Sequence, residues 1–383
     1  MSTSPQRNRR PSEPDLRVAS LVLKEGFKAL ATHPLIRPEQ LTPSELEALS
    51  TSARADYNRR RRAYHANYGP IKTPMLTEAS NTINMVYESG LDKRGDKVRE
   101  SVIISAPPGL GKTTLVVDCA QRIFNDRRAE LGDYIASEDA EHIPVVYISM
   151  PSNPTPRAID EAICRFFAAP LSGNESTLLG RAQDHALSCR SVLIVLDEVQ
   201  FIDASTPNGR HSINHLKSLT NYLPVTFVFV GTGLFNPDAP YAEDRVHELV
   251  SQMARRWTPV GFNGFQLKTE TQQQQWRDTL LTLERDLVLA RKHPGMLADD
   301  LANYLFARSS GHMNSLMSLI TRGSRKAITT GEEKLTEELL STVAIDAEAE
   351  RQRASYLAQL DAGAIGAKRA RSPRREPRVP KVA

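Results

Sequence analysis

The chain has 383 residues, 40% of them hydrophobic and 25% charged, with a net charge of +4. That length supports a sizeable core and two domains, and the longest unbroken apolar run, Val192–Leu196, is far too short to span a bilayer. The charge is uneven: residues 1–70 carry 12 Lys/Arg against 7 Asp/Glu and residues 346–383 carry 9 against 5, which leaves −5 on the middle. Basic extremities on an acidic centre suit contact with a polyanion, or plain solvated arms.

Residues 1–17 are polar, with Pro and Arg and no apolar stretch of a signal peptide, so a cytoplasmic, nucleoid-associated protein is expected. Thr42-Pro-Ser-Glu45 is a capping box with proline at the first helical position. The helix it opens puts Leu46, Leu49, Ala53 and Tyr57 on one face and ends in the run Asn58 to Arg62. A further helix starts at Thr73-Pro74 and runs through Ile83 and Val86.

An α/β alternation follows. Strands are predicted at 101–105, 145–149, 191–196 and 225–230, with helices from Lys112, from the Pro-capped segment carrying Ile159, Ile163 and Phe166, and over 211–222. The strands are apolar almost throughout, as expected when helices cover both faces of a parallel sheet. From about residue 271 the pattern is helical: 271–289, 297–308, 313–328 and 335–343. Hydrophobicity falls after about residue 347, and Lys368–Arg375 reads as a disordered basic tail.

Three motifs carry chemistry. The first is ISAPPGLGKTT, from Ile104 to Thr114, at the end of a strand and the start of a helix. Backbone N–H groups and a helix N-terminus point at an anion there. Pro107, Pro108, Gly109, Leu110, Gly111, Lys112, Thr113 and Thr114 form the candidate phosphate loop: Lys112 reaches the phosphates and the Thr113 hydroxyl holds Mg2+. Ala106 stands where the usual pattern has glycine, a departure expected to leave binding in place. The second motif is VLIVLDE, 85 residues on, a strand ending in Asp197 and Glu198. Asp197 suits the metal and Glu198 the attacking water. The third is Gly231-Thr232-Gly233 after the last strand, where the Thr232 hydroxyl can sense the γ-phosphate. Cys119, Cys164 and Cys189 lack C-x-x-C spacing and read as buried thiols. His211 and His215, spaced i,i+4, lack a third ligand and do not read as a metal site.

Together these stretches resemble the AAA+ ATPases. The segments IKTPMLTEAS, DEVQ, LKSLTNYLPVTFVFVGT, QMARRW and RSSGHMNSLMSLITRGSRKAI narrow the resemblance to the TniB/TnsC group of transposition ATPases, with MuB more distant. The resemblance implies an AAA+ three-layer α/β core with a parallel sheet over 71–265 and a small all-α lid over 266–346. A helical, partly disordered basic extension precedes them (1–70) and a disordered basic tail follows (347–383). It implies ATP and Mg2+ as cofactors; hydrolysis stimulated by assembly or DNA is expected, and slow because the lid lacks the arginine common after Gly311. It also implies homo-oligomers, ring or helical filament, on duplex DNA, a DDE transposase as partner, and a TniQ-type targeting protein beside it. In such assemblies one subunit's arginine completes its neighbour's site; Arg255 or Arg256 takes that place here. The lid departs from the AAA+ pattern: Gly311 is followed by His-Met-Asn-Ser, so Asn314 or a neighbour stands where an arginine is common. Arg59, Arg60, Arg61 and Arg62, with Tyr57, Tyr64 and Tyr68 between and around them, are candidates for sequence-tolerant DNA contact, or the solvated side of a helix whose tyrosines face inward. An ATP-switched scaffold that does not touch DNA and a replication-type loader are the alternatives.

Overall fold

The computed structural model of the protein describes residues 20–95, 97–236, 238, 256–363 and 365–366. They fall into two compact units. The first comprises the chain through Pro34, Glu78–Pro108 and Lys112–Phe262; the second comprises Leu35–Thr77, Gly109–Gly111 and the chain from Asn263 onward.

The first unit is built on a five-stranded parallel sheet of β1 (Ser101–Ser105), β4 (Val145–Ser149), β5 (Leu193–Asp197), β6 (Thr226–Gly231) and β7 (Trp257–Gly261), in the order β4-β5-β6-β1-β7. Every residue of β1, β5 and β6 is buried, which is why these strands read as unbroken apolar runs. The fifth strand was not expected from sequence. Pro259 cannot donate to a sheet ladder and disguises it, and β7 lies at the edge of the sheet, where proline is tolerated. A two-residue hairpin, β2 (Tyr134–Ile135) with β3 (Ala140–Glu141), stands apart from the sheet.

Three helices of this unit start where a side chain accepts from a free N–H group. Thr155 caps α6 (Pro156–Phe166), Asn174 caps α7 (Glu175–Ser188) and Thr206 caps α8 (Pro207–Tyr222), which begins four residues before its expected start. The helix after the phosphate loop, α5, runs Lys112–Leu131. At the N-terminal side α1 (Lys24–Thr32) buries Phe27 against Phe124, ring centroids 5.7 Å apart, and its Lys24 and Lys28 pair with Glu141 at 3.1 and 2.8 Å.

The second unit is helical. The capping box at Thr42 forms, but the helix it opens stops at Ala48; Ser50 caps a new one, so the expected single helix is α2 (Pro43–Ala48) and α3 (Thr51–Asn67). The break lies at Leu49, which is extended, and the competing Ser50 cap is the local reason. Helix α4 (Pro74–Leu91) lies in the place expected for it, and from Glu78 onward it belongs to the first unit. A second capping box, Thr269 with Gln272, opens α9 (Glu270–Asp286). It is followed by a π turn at Met296–Asp300, α10 (Ala302–Ser309), α11 (Met313–Thr330) and α12 (Glu337–Ser341). Trp276, Leu280, Leu283, Leu305, Leu316, Leu319 and Ile320 form the core, each fully buried. The Asn314 N–H donates to the Gly109 carbonyl within this unit, at 2.9 Å.

The chain does not lose order at residue 347. Helix α13 (Ala347–Asp361) is held by few but specific contacts: Glu350 accepts from the buried Arg308 at 2.6 Å, and Tyr356 meets Phe306 edge-on at 5.4 Å. Its apolar content is too low to announce a core-facing helix, since charged and aromatic contacts, with the buried Ala349, do the anchoring. Lys368–Arg375 lies outside the described residues. No helix among the described residues is long and apolar enough to cross a membrane.

Candidate functional site

The register of the sheet brings three loop starts side by side. Ser105 of β1 lies opposite Gly231 of β6, and Leu196 of β5 opposite Phe229. The phosphate loop, Glu198 and Thr232 therefore leave the carboxyl ends of adjacent strands, the edge of an open α/β sheet at which ligands bind. The Ser105 hydroxyl ties down the loop beyond Thr232: it donates to the Phe235 carbonyl at 3.1 Å and accepts from the Leu234 N–H at 3.1 Å.

Left-handed backbone within the loop is confined to Gly109 (φ +74°) and Gly111 (φ +90°). These are the positions that need glycine. Ala106 is buried and its backbone needs no such freedom, so its methyl group costs the loop no strain. Pro107 and Thr114 flank the turn, Pro108 is exposed at its tip, and Leu110 is buried.

Lys112 is half-buried and its ammonium donates to the Ala106 carbonyl (2.8 Å), the Pro107 carbonyl (3.0 Å) and the Thr232 hydroxyl (2.9 Å). Burial lowers its pKa, and the charges of Glu198 and Asp197 oppose that shift. The Thr113 hydroxyl donates to Asp197 Oδ2 at 2.8 Å. Asp197 is buried, and the same oxygen accepts from the Tyr147 hydroxyl at 2.6 Å. Burial first, then the Asp197 charge, raises the Tyr147 pKa, which keeps the phenol a donor.

Glu198 takes a left-handed backbone (φ +62°, ψ +34°), a conformation that costs a non-glycine residue of order 1–3 kcal/mol and recurs at functional sites. Its N–H donates to Asp197 Oδ1 at 2.9 Å, and its carboxylate accepts from the Gln200 amide.

An ammonium, a hydroxyl beside a buried carboxylate, and a second carboxylate thus surround one strand-tip notch. Among the described residues, a Cβ added at Gly111 would meet nothing within 4 Å. Oxygen ligands from Thr113 and Asp197 suit a hard divalent cation, and Lys112 suits phosphate. The residues fit a magnesium nucleotide.

Other sequence candidates fare differently. Arg256 is exposed and donates to Asn221 Oδ1 at 2.5 Å, beside the exposed Tyr222; Arg255 lies outside the described residues. The arginine run of α3 is divided. Arg59 and Arg60 are exposed and pair with Asp56, and Arg62 is part-exposed. Arg61 is fully buried on Glu333 (Nη1–Oε2 2.6 Å), with Asn58 Oδ1 3.0 Å from its Nε. This removes Arg61 from the DNA-contact candidates, because the side chain points into the helical core. Tyr57, Tyr64 and Tyr68 are buried as well, so no aromatic side chain of this run is open for stacking on bases. His215 pairs with the buried Asp160 at 2.7 Å, and among the described residues no group of three or more His, Cys, Asp or Glu could hold a metal ion. The three cysteines are free and buried.

Two contacts escaped the sequence reading, those of Tyr147 and Gln200. Tyr147 sits in an apolar strand, VVYIS, and its only signal is a hydroxyl where the other residues but the last are aliphatic. Gln200 is flagged only as the last residue of DEVQ.

Residues 96–236 match the family described as AAA domain. No curated protein matches the sequence. Among solved structures the chain is similar to the ORC1 protein of Aeropyrum pernix, solved in complex with DNA. The identity there is 20% and the TM-score 0.52, over 76% of this chain and 69% of that one. It is also similar to the ORC2 protein of Aeropyrum pernix, solved in ADPNP and ADP complexes, with 16% identity and a TM-score of 0.53 over 76% and 74%. At these identities the likeness is one of fold. The fold is an AAA+ core with a five-stranded parallel sheet, and an AAA domain is a P-loop ATPase domain that takes ATP and Mg2+.

Proposed function

We propose that this protein is a DNA-dependent ATPase of the TniB/TnsC kind, whose ATP-bound form assembles copies of the chain on duplex DNA and engages a DDE transposase. The observation that carries the proposal is the cluster of Lys112, Thr113, Asp197, Glu198 and Thr232 at the tips of three adjacent strands. Backbone N–H groups of the loop and Lys112 hold the phosphates. Thr113 and Asp197 hold magnesium, which supplies charge neutralisation at the β- and γ-phosphates. Glu198 orients a water toward the γ-phosphorus; the water oxygen forms the new bond, the bond to the bridging oxygen breaks, and the water's proton passes toward Glu198. Thr232 reads the γ-phosphate.

Arg256, exposed at the surface of the α/β unit, or its neighbour Arg255, completes the site of an adjacent copy. A trans arginine makes hydrolysis depend on assembly, which links the ATP state to the assembled state. The transposition reading is supported by the segments quoted above for the resemblance. The DNA reading is supported by the basic extremities and by the fold shared with an ORC1 protein solved with DNA. Asn314, standing where an arginine is common, fits slow turnover.

Calorimetric titration and electron microscopy test the proposal together. Wild-type protein should bind MgATP, and Lys112→Ala should weaken binding by about 100-fold, as expected for a lost charge-assisted phosphate contact. Glu198→Gln should slow hydrolysis by about 100-fold and hold ATP-dependent assemblies on duplex DNA. Well-folded wild-type protein that ignores millimolar ATP, or Glu198→Gln assemblies that fall apart faster than wild type, would sink the reading.

A further inference from the structure

Glu198 is the only member of the cluster whose carboxylate is held by neither Thr113, Lys112 nor Tyr147. What holds it is Gln200, two residues on in the tight turn Val199–Phe201. The Gln200 amide touches two strand ends at once. Its Oε1 accepts from the Thr232 N–H at 3.1 Å, and its Nε2 donates to Glu198 Oε2. The orientation of the amide is not arbitrary. A backbone N–H can only donate, so the oxygen must face Thr232 and the NH2 group must face Glu198.

The backbone leaves room for this bridge. A Cβ at Gly231 would stand 2.7 Å from Gln200 Oε1, so glycine at the end of β6 is what admits the amide. The turn that carries Gln200 is itself fixed, since the Phe201 N–H donates to the Glu198 carbonyl at 3.1 Å and the Ile202 N–H to the Val199 carbonyl at 3.1 Å. Neither backbone anchor of Gln200 can swing without breaking the turn or the β6 terminus.

The result is one chain of hydrogen bonds across the notch: Lys112 ammonium to Thr232 hydroxyl, Thr232 N–H to Gln200 oxygen, Gln200 NH2 to Glu198 carboxylate. We infer that Gln200 is a positioning residue, which fixes one oxygen of Glu198 and leaves the other to orient the attacking water, and which ties that geometry to the position of Thr232. The inference rests on the ATPase reading given above. It adds a residue whose side chain contacts Glu198 and the Thr232 N–H rather than the phosphate loop, Thr113 or Asp197. An orienting hydrogen bond of this kind matters because misplacing a reacting group by about 1 Å can cost about 100-fold in rate.

Gln200→Glu separates this role from packing. It keeps the size of the side chain and the acceptor for the Thr232 N–H, and it loses the donor to Glu198. Steady-state ATP hydrolysis and MgATP titration are measured on the full chain for wild type, Gln200→Glu, Gln200→Met, Glu198→Gln and the double variant E198Q/Q200E. The expected result is a kcat lowered about tenfold to 100-fold in Gln200→Glu and in Gln200→Met, with nucleotide affinity within about threefold of wild type, since no phosphate contact is lost. The double variant should be no slower than Glu198→Gln alone, because both changes break one arrangement. Gln200→Glu turning over at the wild-type rate beside a slowed Glu198→Gln would overturn the role of Gln200 and leave the ATPase reading standing, as would losses that multiply in the double variant. Wild-type protein that hydrolyses no ATP, or an unslowed Glu198→Gln, would overturn the ATPase reading and Gln200's role with it.

Discussion

The strand-tip notch of the α/β unit and the core of the helical unit both hold charged side chains away from water, and they do so in opposite ways. In the notch Lys112 is half-buried and its present partners are replaceable. Lys112 spends its three donors on two loop carbonyls and a hydroxyl, all of which a phosphate oxygen can replace. In the helical unit the charges are sealed. Arg61 is fully buried, Glu333 nearly so, and the remaining oxygen capacity of Glu333 is taken by the Ala290 N–H at 3.1 Å. Arg308 is equally enclosed by the Leu340 and Val343 carbonyls (2.9 and 2.7 Å) and Glu350. A charge with replaceable partners can serve a ligand; a charge with none to spare serves the fold.

The sharpest way to break this contrast is to remove one sealed partner. Glu333→Ala leaves Arg61 buried and unpaired and should destabilise the protein by about 3–5 kcal/mol, read from urea unfolding. Lys112→Ala, at a half-buried position, should leave the unfolding midpoint almost unchanged while nucleotide binding weakens by about 100-fold. Equal unfolding curves for wild type and Glu333→Ala would contradict the assignment of Arg61 to the core.

Acid offers a gentler test of the same core. His65 is buried and its Nε2 accepts from the Val288 N–H at 3.0 Å, which requires the neutral ring. Burial, then the nearby charges of Arg61, Lys292 and Arg37, push its pKa down to about 4. The unfolded chain binds this proton near pH 6.5 and the folded chain does not, so the unfolded state is favoured as pH falls from about 6.5 toward 4. Stability should drop by roughly 1.4 kcal/mol per pH unit in that window at most. Thermal melts at pH 7 and pH 5 should show a smaller difference in His65→Gln, which can still accept from Val288, than in wild type.

The smallest effect belongs to the surface. Arg59→Ala and Arg60→Ala break exposed pairs with Asp56 and should shift stability by less than about 0.5 kcal/mol. If these residues meet DNA phosphate, the same variants weaken duplex binding and reduce its dependence on salt. An unchanged salt slope would place the DNA contact elsewhere.

Much of this was legible in the sequence because its causes are local. The cap at Thr42 forms within three residues of the side chain that makes it. The phosphate loop follows from two glycines that must take positive φ, and the acidic strand end from an apolar run that must stop at water. Other features depend on pairing. Tyr147 reaches Asp197 because β4 and β5 align Tyr147 with Val195, two residues from the acid on the same face. Nothing in VVYIS fixes that register. The edge strand with Pro259 and the ordered helix at Ala347–Asp361 depend likewise on what packs nearby.

By itself the sequence determined where chain direction changes and where an anion can approach, since φ preference, capping and strand hydrophobicity act within a few residues. Only the tertiary structure decided which of four consecutive arginines is a core residue. Arg61 meets Glu333 across 272 positions of chain, and burial is a property of the surroundings that the chain assembles, not of the residue.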